Sequence, residues 1–185
     1  MLLAAALALH VALTPVKAGT EAAPRPTKVK LDVTAERDAR RLTVFMPKQL
    51  RISNTGLAVC SAGDADLVAQ GPQALCKDAI AGSGTLATED AAYRVTPLVS
   101  ADGLLFFVDG DQQNTVLHGT FSQAVGDYTA KLRVPLPEPL RGLRTLKLTL
   151  QRRTLFATRG CVPGGLPFKV QLGTAVARAT ATCRR

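Results

Sequence analysis

The four cysteines are the residues of this chain whose type and spacing are best suited to chemistry. They fall into two pairs that are local in sequence, Cys60 with Cys76 and Cys161 with Cys183. Of the three pairings that four cysteines allow, this one closes the shortest loops and flanks turn-rich segments. Neither pair has the short C-x₂₋₄-C spacing of a zinc site. The sequence therefore predicts two disulfides, which are typical of an exported protein in an oxidising compartment.

Histidine and serine offer little further chemistry. His118 lies in a predicted strand and is expected to point outward, where a lone histidine is far more often solvated or hydrogen-bonded than catalytic. Ser83 stands between two glycines but lacks the Gly-x-Ser-x-Gly spacing and the strand-to-helix context of a nucleophilic serine. The sequence predicts no catalytic residue and no cofactor.

An acidic turn resembles the start of a calcium loop. Asp109, Asp111 and Gln113 match its first three ligand positions. Asn114 stands where the sharp turn needs Gly, and Thr120 where a bidentate Glu is needed. A hairpin turn is the better interpretation, and the sequence predicts no metal site.

An apolar stretch opens the chain and runs LLAAALALHVALTPV at residues 2–16. Its length, and Val16 and Ala18 at positions −3 and −1 before Gly19, are typical of a secretory signal peptide. We expect cleavage of residues 1–18 and a secreted mature chain of residues 19–185. No Lys or Arg precedes the apolar run, which leaves open a true start a few residues upstream, and a buried helix is the alternative. The only later apolar run is far too short to cross a bilayer.

In the mature chain, apolar residues recur at every second position. Val29, Leu31 and Val33 alternate with polar residues, as in a strand with one buried face. The same pattern and the turn signals between its segments predict about nine or ten short strands, and the small residues of the last candidate could serve either face. They are 27–33, 42–46, 84–88, 93–99, 104–108, 115–121, 128–134, 145–150, 168–172 and 174–182. We predict an all-β class: a single antiparallel β-sandwich or jelly-roll-like domain, with one short helix near residues 64–70 capped by Ser61 or Asp64.

Charge is distributed unevenly along the chain. The net charge is +9, yet twelve Lys and Arg in residues 128–185 stand against one acid, Glu138. Residues 19–127 are net acidic. We therefore predict a basic surface that binds polyanions. Its members are Lys131, Arg133, Arg144, Lys147, Arg152, Arg153 and Lys169. The alternative is that these cations only keep the sheet soluble and discourage edge pairing.

Several Cys, Gly and Pro motifs also carry a resemblance. They are PKQLRI at 47–52, AVCS at 58–61, CKDAIAGSG at 76–84, LHGTF at 117–121, PLPEPL at 135–140, GCVPGGLPF at 160–168 and the Ala-Thr repeat before Cys183. In these the chain resembles a group of uncharacterised secreted, β-rich, two-disulfide proteins of high-GC Gram-positive, actinobacterial-type bacteria. The resemblance implies a fold but no activity, ligand or catalytic residue.

The sequence as a whole predicts a non-catalytic secreted protein, an envelope-associated binding or structural module with a basic C-terminal surface. Acidic envelope polymers and other anionic surfaces are the expected partners. Nucleic acid is disfavoured, because aromatic residues make up only 4% of the chain and few are available to stack bases. The alternative is a secreted hydrolase with an unidentified carboxylate pair, which would show as a cleft with convergent Asp or Glu.

Overall fold

Antiparallel strands dominate the structure. The computed structural model describes residues 6–36, 38–111 and 113–185. The strands are β1 (Leu7–Thr14), β2 (Arg25–Pro26), β3 (Lys28–Ala35), β4 (Arg41–Pro47), β5 (Leu50–Ile52), β6 (Gly82–Thr88), β7 (Ala92–Val99), β8 (Gly103–Asp109), β9 (Thr115–Gln123), β10 (Tyr128–Pro135), β11 (Leu143–Leu150), β12 (Phe156–Thr158), β13 (Leu166–Leu172) and β14 (Ala175–Ala181). The helices are α1 (Asp64–Gln70) and α2 (Pro72–Leu75), with 3₁₀ turns at Lys77–Ala79 and Leu140–Gly142. None of the helices in the described ranges is long and apolar enough to cross a membrane.

Eleven strands form one sheet in the order β1-β3-β11-β6-β7-β8-β9-β10-β4-β13-β14. The two ends of that order, β1 and β14, lie against each other, so the sheet curls into a nearly closed, barrel-like shape. The short strands β2, β12 and β5 form a second sheet. The all-β prediction is confirmed. The sandwich or jelly roll is wrong, because one sheet folds its inner face onto itself instead of packing two sheets face to face.

The interior is built by the alternation that the sequence shows. Val29, Leu31 and Val33 on β3 are at most 5% exposed, and Phe168 and Val170 on β13 are at most 1% exposed. Residues of this kind from both halves of the chain form one apolar cluster. The void left among them is about 50 Å³ and is lined only by apolar side chains. Ligand pockets are roughly 300–1,000 Å³, so this interior is a filled core.

One side of the sheet is covered by the helical segment. Leu67 of α1 is fully buried and packs with Leu105 and Phe107, which point outward from β8. The predicted helix near residues 64–70 is thereby confirmed. Its predicted caps are wrong, because the N-cap is Gly63 and no side chain caps the helix.

Leu7–Thr14, which belong to the predicted leader, form β1. This strand pairs antiparallel with β3 over its whole length, from Leu7 opposite Ala35 to Thr14 opposite Lys28. Leucine and valine alternate with small or polar residues along β1, so a strand can present one apolar face to the interior. The buried-helix alternative is therefore wrong. Cleavage after Ala18 stays a prediction, and it would take β1 out of the sheet.

Both predicted disulfides are confirmed. Cys60 is bonded to Cys76 and Cys161 to Cys183, and no cysteine of the described chain is free. The first bond closes a loop of 16 residues around α1 and α2. The second closes a loop of 22 residues and ties the end of the chain to the segment before β13.

Removing either disulfide should lower the free energy of unfolding. For loops of 16 and 22 residues, the chain-entropy model gives a loss of about 3 kcal/mol for each bond. Urea unfolding of Cys60→Ala/Cys76→Ala and of Cys161→Ala/Cys183→Ala should show a loss of this size. A change below roughly 1 kcal/mol in either pair would contradict the chain-entropy account.

Candidate functional site

Four adjacent strands of the large sheet carry cations and no acids. They are β10, β4, β13 and β14, in that order. Their sequences, YTAKLRVP, RLTVFMP, LPFKVQL and AVARATA, contain five Lys or Arg and neither Asp nor Glu. We call these five residues the basic face. They are Arg41, Lys131, Arg133, Lys169 and Arg178.

Strand register places three of these cations in one row. Lys131 of β10 lies opposite Phe45 of β4. Phe45 in turn lies opposite Lys169 of β13, and Lys169 lies opposite Arg178 of β14. Neighbouring strands are about 4.8 Å apart, so the row from Lys131 to Arg178 spans roughly 14 Å. Arg133 is two residues along β10 from Lys131 and therefore lies on the same face.

The basic face points away from the core. Arg41, Arg133 and Arg178 are exposed, whereas Lys131 and Lys169 are partly covered. Leu132 and Val134 on β10, and Phe168 and Val170 on β13, alternate with these cations and are buried, as the period of a strand requires. At the backbone, Lys169 is about 5 Å from Arg178 and about 10 Å from Lys131, separations comparable with the Debye length of roughly 8 Å, so their potentials add in part at physiological salt.

An aromatic pair holds one of the lysines. The Nζ atom of Lys169 lies 3.7 Å from the centroid of the Phe45 ring and 5.1 Å from that of Tyr128. The two rings are 5.6 Å apart. This cation–π contact places the Lys169 ammonium over β4, on the side away from β14, so it reduces the repulsion by Arg178 across the strand pair without removing it.

The basic face is not neutralised within the molecule. The ion pairs of the described residues involve His10, Arg94, His118, Arg141, Arg144 and Arg159 as the cationic partners. None of the five basic-face residues is among them. Their charge is therefore free to act on a partner in solution.

Only three of the seven residues predicted for a polyanion surface come together here: Lys131, Arg133 and Lys169. The other four are on β11 or in the connection after it, and β11 is five places away from β10 in the sheet order. Arg144 donates hydrogen bonds to Glu89 at 2.9 Å and to Asp38 at 3.4 Å. The bond to Glu89 is the main cause that raises the pKa of Arg144 above its ordinary value. This guanidinium is already paired.

The remaining three predicted residues are separate as well. Lys147 lies opposite Asp32 of β3 in the sheet, so it sits beside a carboxylate. Arg152 and Arg153 line a shallow groove with Leu57 and Ile80, at the end of the barrel-like sheet. The predicted surface is thus divided between two sides of the molecule and one end.

The sequence did not reveal two cations of the basic face, Arg41 and Arg178. It also did not reveal the aromatic pair of Phe45 and Tyr128 beside Lys169. Arg41 comes from the acidic part of the chain, and Arg178 follows a glycine turn among small residues. The alternation of Arg41, Thr43 and Phe45 is visible in the sequence and marks these residues as outward-facing. Their position beside β10 and β13 is not visible, because strand order is not a local property.

His118 is exposed on β9 and contacts Asp64 of α1. Its Nε2 atom lies 2.9 Å from a carboxylate oxygen of Asp64. Both side chains are more than half exposed, which limits the pair to a weak surface contact that holds the helix on β9. Within the part of the chain that the structure describes, no three His, Cys, Asp or Glu side chains are grouped so that they could hold a metal ion.

Comparison with known proteins adds little. No protein-family model matches the chain, and no curated protein matches it. One solved structure, described as the crystal structure of BslA, a bacterial hydrophobin, aligns over 94% of each chain with 12% identity and a TM-score of 0.42. A likeness of this degree supports neither a shared fold nor a shared function.

The contact between Lys169 and Phe45 should be measurable as a coupling energy. A partly covered cation–π pair is worth about 0.5–1 kcal/mol. A double-mutant cycle with Lys169→Met and Phe45→Leu, followed by urea unfolding, should return a coupling of that size. If the losses of unfolding free energy in the two single variants simply add in the double variant, the Phe45 ring does not hold Lys169.

Proposed function

We propose that the protein is a non-catalytic, exported binding module that attaches to anionic polymers of the cell envelope through the basic face. One observation carries the proposal. Four neighbouring strands present five Lys or Arg without an acid. The two disulfides support export, because such bonds persist in oxidising compartments outside the cytoplasm.

The geometry suits an extended anionic chain. Lys131, Lys169 and Arg178 form a row that crosses the strands, so a linear polymer can contact all three in succession. The flanking Arg133 and Arg41 widen the positive field along β10 and β4. Contacts of this kind recognise charge and spacing, and they require no deep pocket.

A role in solubility alone accounts poorly for this arrangement. Lysine and arginine discourage edge pairing when they lie on edge strands. β10, β4 and β13 are interior strands with a hydrogen-bonded neighbour on each side. Lys169 and Arg178 are directly opposite each other, which costs stability in a sheet. Binding to a polyanion would compensate for that repulsion.

Four surface grooves along the described part of the barrel-like sheet give the hydrolase alternative no support. One contains a single carboxylate, Asp102, and another contains Asp127. The other two have no Asp or Glu in their lining. A glycosidase needs two carboxyl groups on either side of the bond that it cleaves.

Neutralising the row should abolish attachment to a polyanion. We expect Lys131→Gln/Lys169→Gln/Arg178→Gln to elute from immobilised dextran sulfate at much lower salt than the unaltered chain. Each cation at an anionic surface contributes on the order of 1 kcal/mol, so the triple variant should bind roughly a hundred-fold more weakly near physiological salt. Its melting temperature should change by only a few degrees, because the altered side chains are on the surface.

A matched control lies outside the four strands of the basic face. Lys28→Gln/Lys30→Gln/Lys147→Gln removes the same number of charges from β3 and β11, where Asp32 is a neighbour. This variant should keep most of the affinity. Equal losses in the two triple variants would show that only net charge matters and would overturn the assignment of the basic face.

A further inference from the structure

The gap between β3 and β14 is filled by β1. On one side, β1 pairs with β3 through eight residues. On the other side it packs against β14, and the ladders of the described strands include none between these two. β1 is therefore held by a single ladder and by the side chains that it places in the interior.

Those side chains complete the core. Val11 is 5% exposed and Leu13 is 4% exposed, and both belong to the central apolar cluster. Leu7 and Leu9 pack against the same cluster. Ala8, His10 and Thr14, which alternate with them, are exposed. A signal peptide requires apolar character but no such alternation, so the pattern is that of a strand with one buried face.

The residues after β1 are also tied into the fold. The Val16 carbonyl accepts a hydrogen bond from the Arg184 amide at 2.9 Å, and the Ala18 amide donates to the Arg184 carbonyl at 2.8 Å. The Gly19 amide donates to the Thr158 carbonyl at 3.2 Å. These bonds fix the segment next to Cys183, on both sides of the predicted cleavage point.

Removal of residues 1–18 would undo all of this. It would leave β3 with an unpaired edge of eight residues, it would expose the edge of β14 that β1 packs against, and it would uncover the interior between them. Long, unpaired edge strands beside an apolar surface recruit other strands.

We propose that the gap between β3 and β14 is a strand-binding groove, and that its occupant in the mature protein is the chain's own Leu7–Thr14. The groove takes an extended segment that runs antiparallel to β3 and carries an apolar side chain at every second position. The bond between Ala18 and Gly19 then stays intact after export.

A cut in the folded full-length chain tests the groove. Thr20, Glu21, Ala22 and Ala23 form an exposed loop after β1, so a protease recognition sequence can be inserted between Ala22 and Ala23. After cleavage of the oxidised, folded protein, the fragment that ends at Ala22 should elute with the body from a gel-filtration column, and the melting temperature should persist. The proposal would be overturned if the fragment separated at once from the rest of the chain, which begins at Ala23, and the melting temperature of that remaining part were unchanged.

Two variants show whether the fragment is held in this register. Val11→Asp places a charge in the interior, so it should weaken retention of the cut fragment roughly a hundred-fold. Thr14→Asp adds the same charge on the outer face, opposite Lys28, and should retain the fragment. Equal behaviour of the two variants would overturn the register.

If the Val11→Asp variant does not fold before cleavage, peptide exchange tests the register instead. A labelled synthetic peptide of residues 6–18 should exchange into the cut, otherwise unaltered protein, whereas the same peptide with Val11→Asp should not. The intact mass of the protein isolated from its natural source should include Leu7–Thr14. A mass that begins at Gly19, or equal exchange of both peptides, would overturn the proposal.

Discussion

The structure depends on one constraint, which is that a single sheet has to bury its own inner face. Among the described residues, no helix and no second large sheet covers that face. The eleven strands can exclude water from it only by curling until β1 meets β14. Every strand must then supply apolar residues at alternate positions, and the near absence of empty space inside shows that leucine, valine and a few phenylalanines suffice.

The same constraint decides where function can lie. The filled interior leaves a void much smaller than a ligand pocket, and the basic face that we propose as the binding surface lies on the outer face. That outer face is not uniform. The disulfide-bonded helical segment covers the strands around β8, whereas β10, β4, β13 and β14 carry the basic face.

Sequence reasoning succeeded where a local pattern determines the outcome. Alternation located ten strands, and short loop closure identified both disulfides. It did not identify Leu7–Thr14 as a strand, because an apolar stretch of this length also satisfies the requirements of a signal peptide. Cleavage of that segment stays a prediction. β5 and β12 were missed because three residues are too few to show a period.

Local patterns also predicted part of the candidate site, whereas the part that depends on strand order could not be predicted. Lys131, Arg133 and Lys169 lie on strands whose outward faces the alternation reveals. Their grouping with Arg41 depends on β4 inserting between β10 and β13, which no local pattern encodes. Arg144 and Lys147 are close to these residues in sequence, yet strand order places them on β11, five strands away from β10 and next to acids.

The order of strands also has a consequence for how the chain folds. β6 to β10 are successive neighbours, so each pairs with the next through a short connection and can form early. β3 must instead find β11, with Thr34 opposite Thr145, across more than half of the chain. β4 must likewise wait for β10 and β13. Closing such long loops is slow. The central meander should therefore act as the template onto which both ends of the chain dock, and the charged outer surface should be among the last parts to assemble.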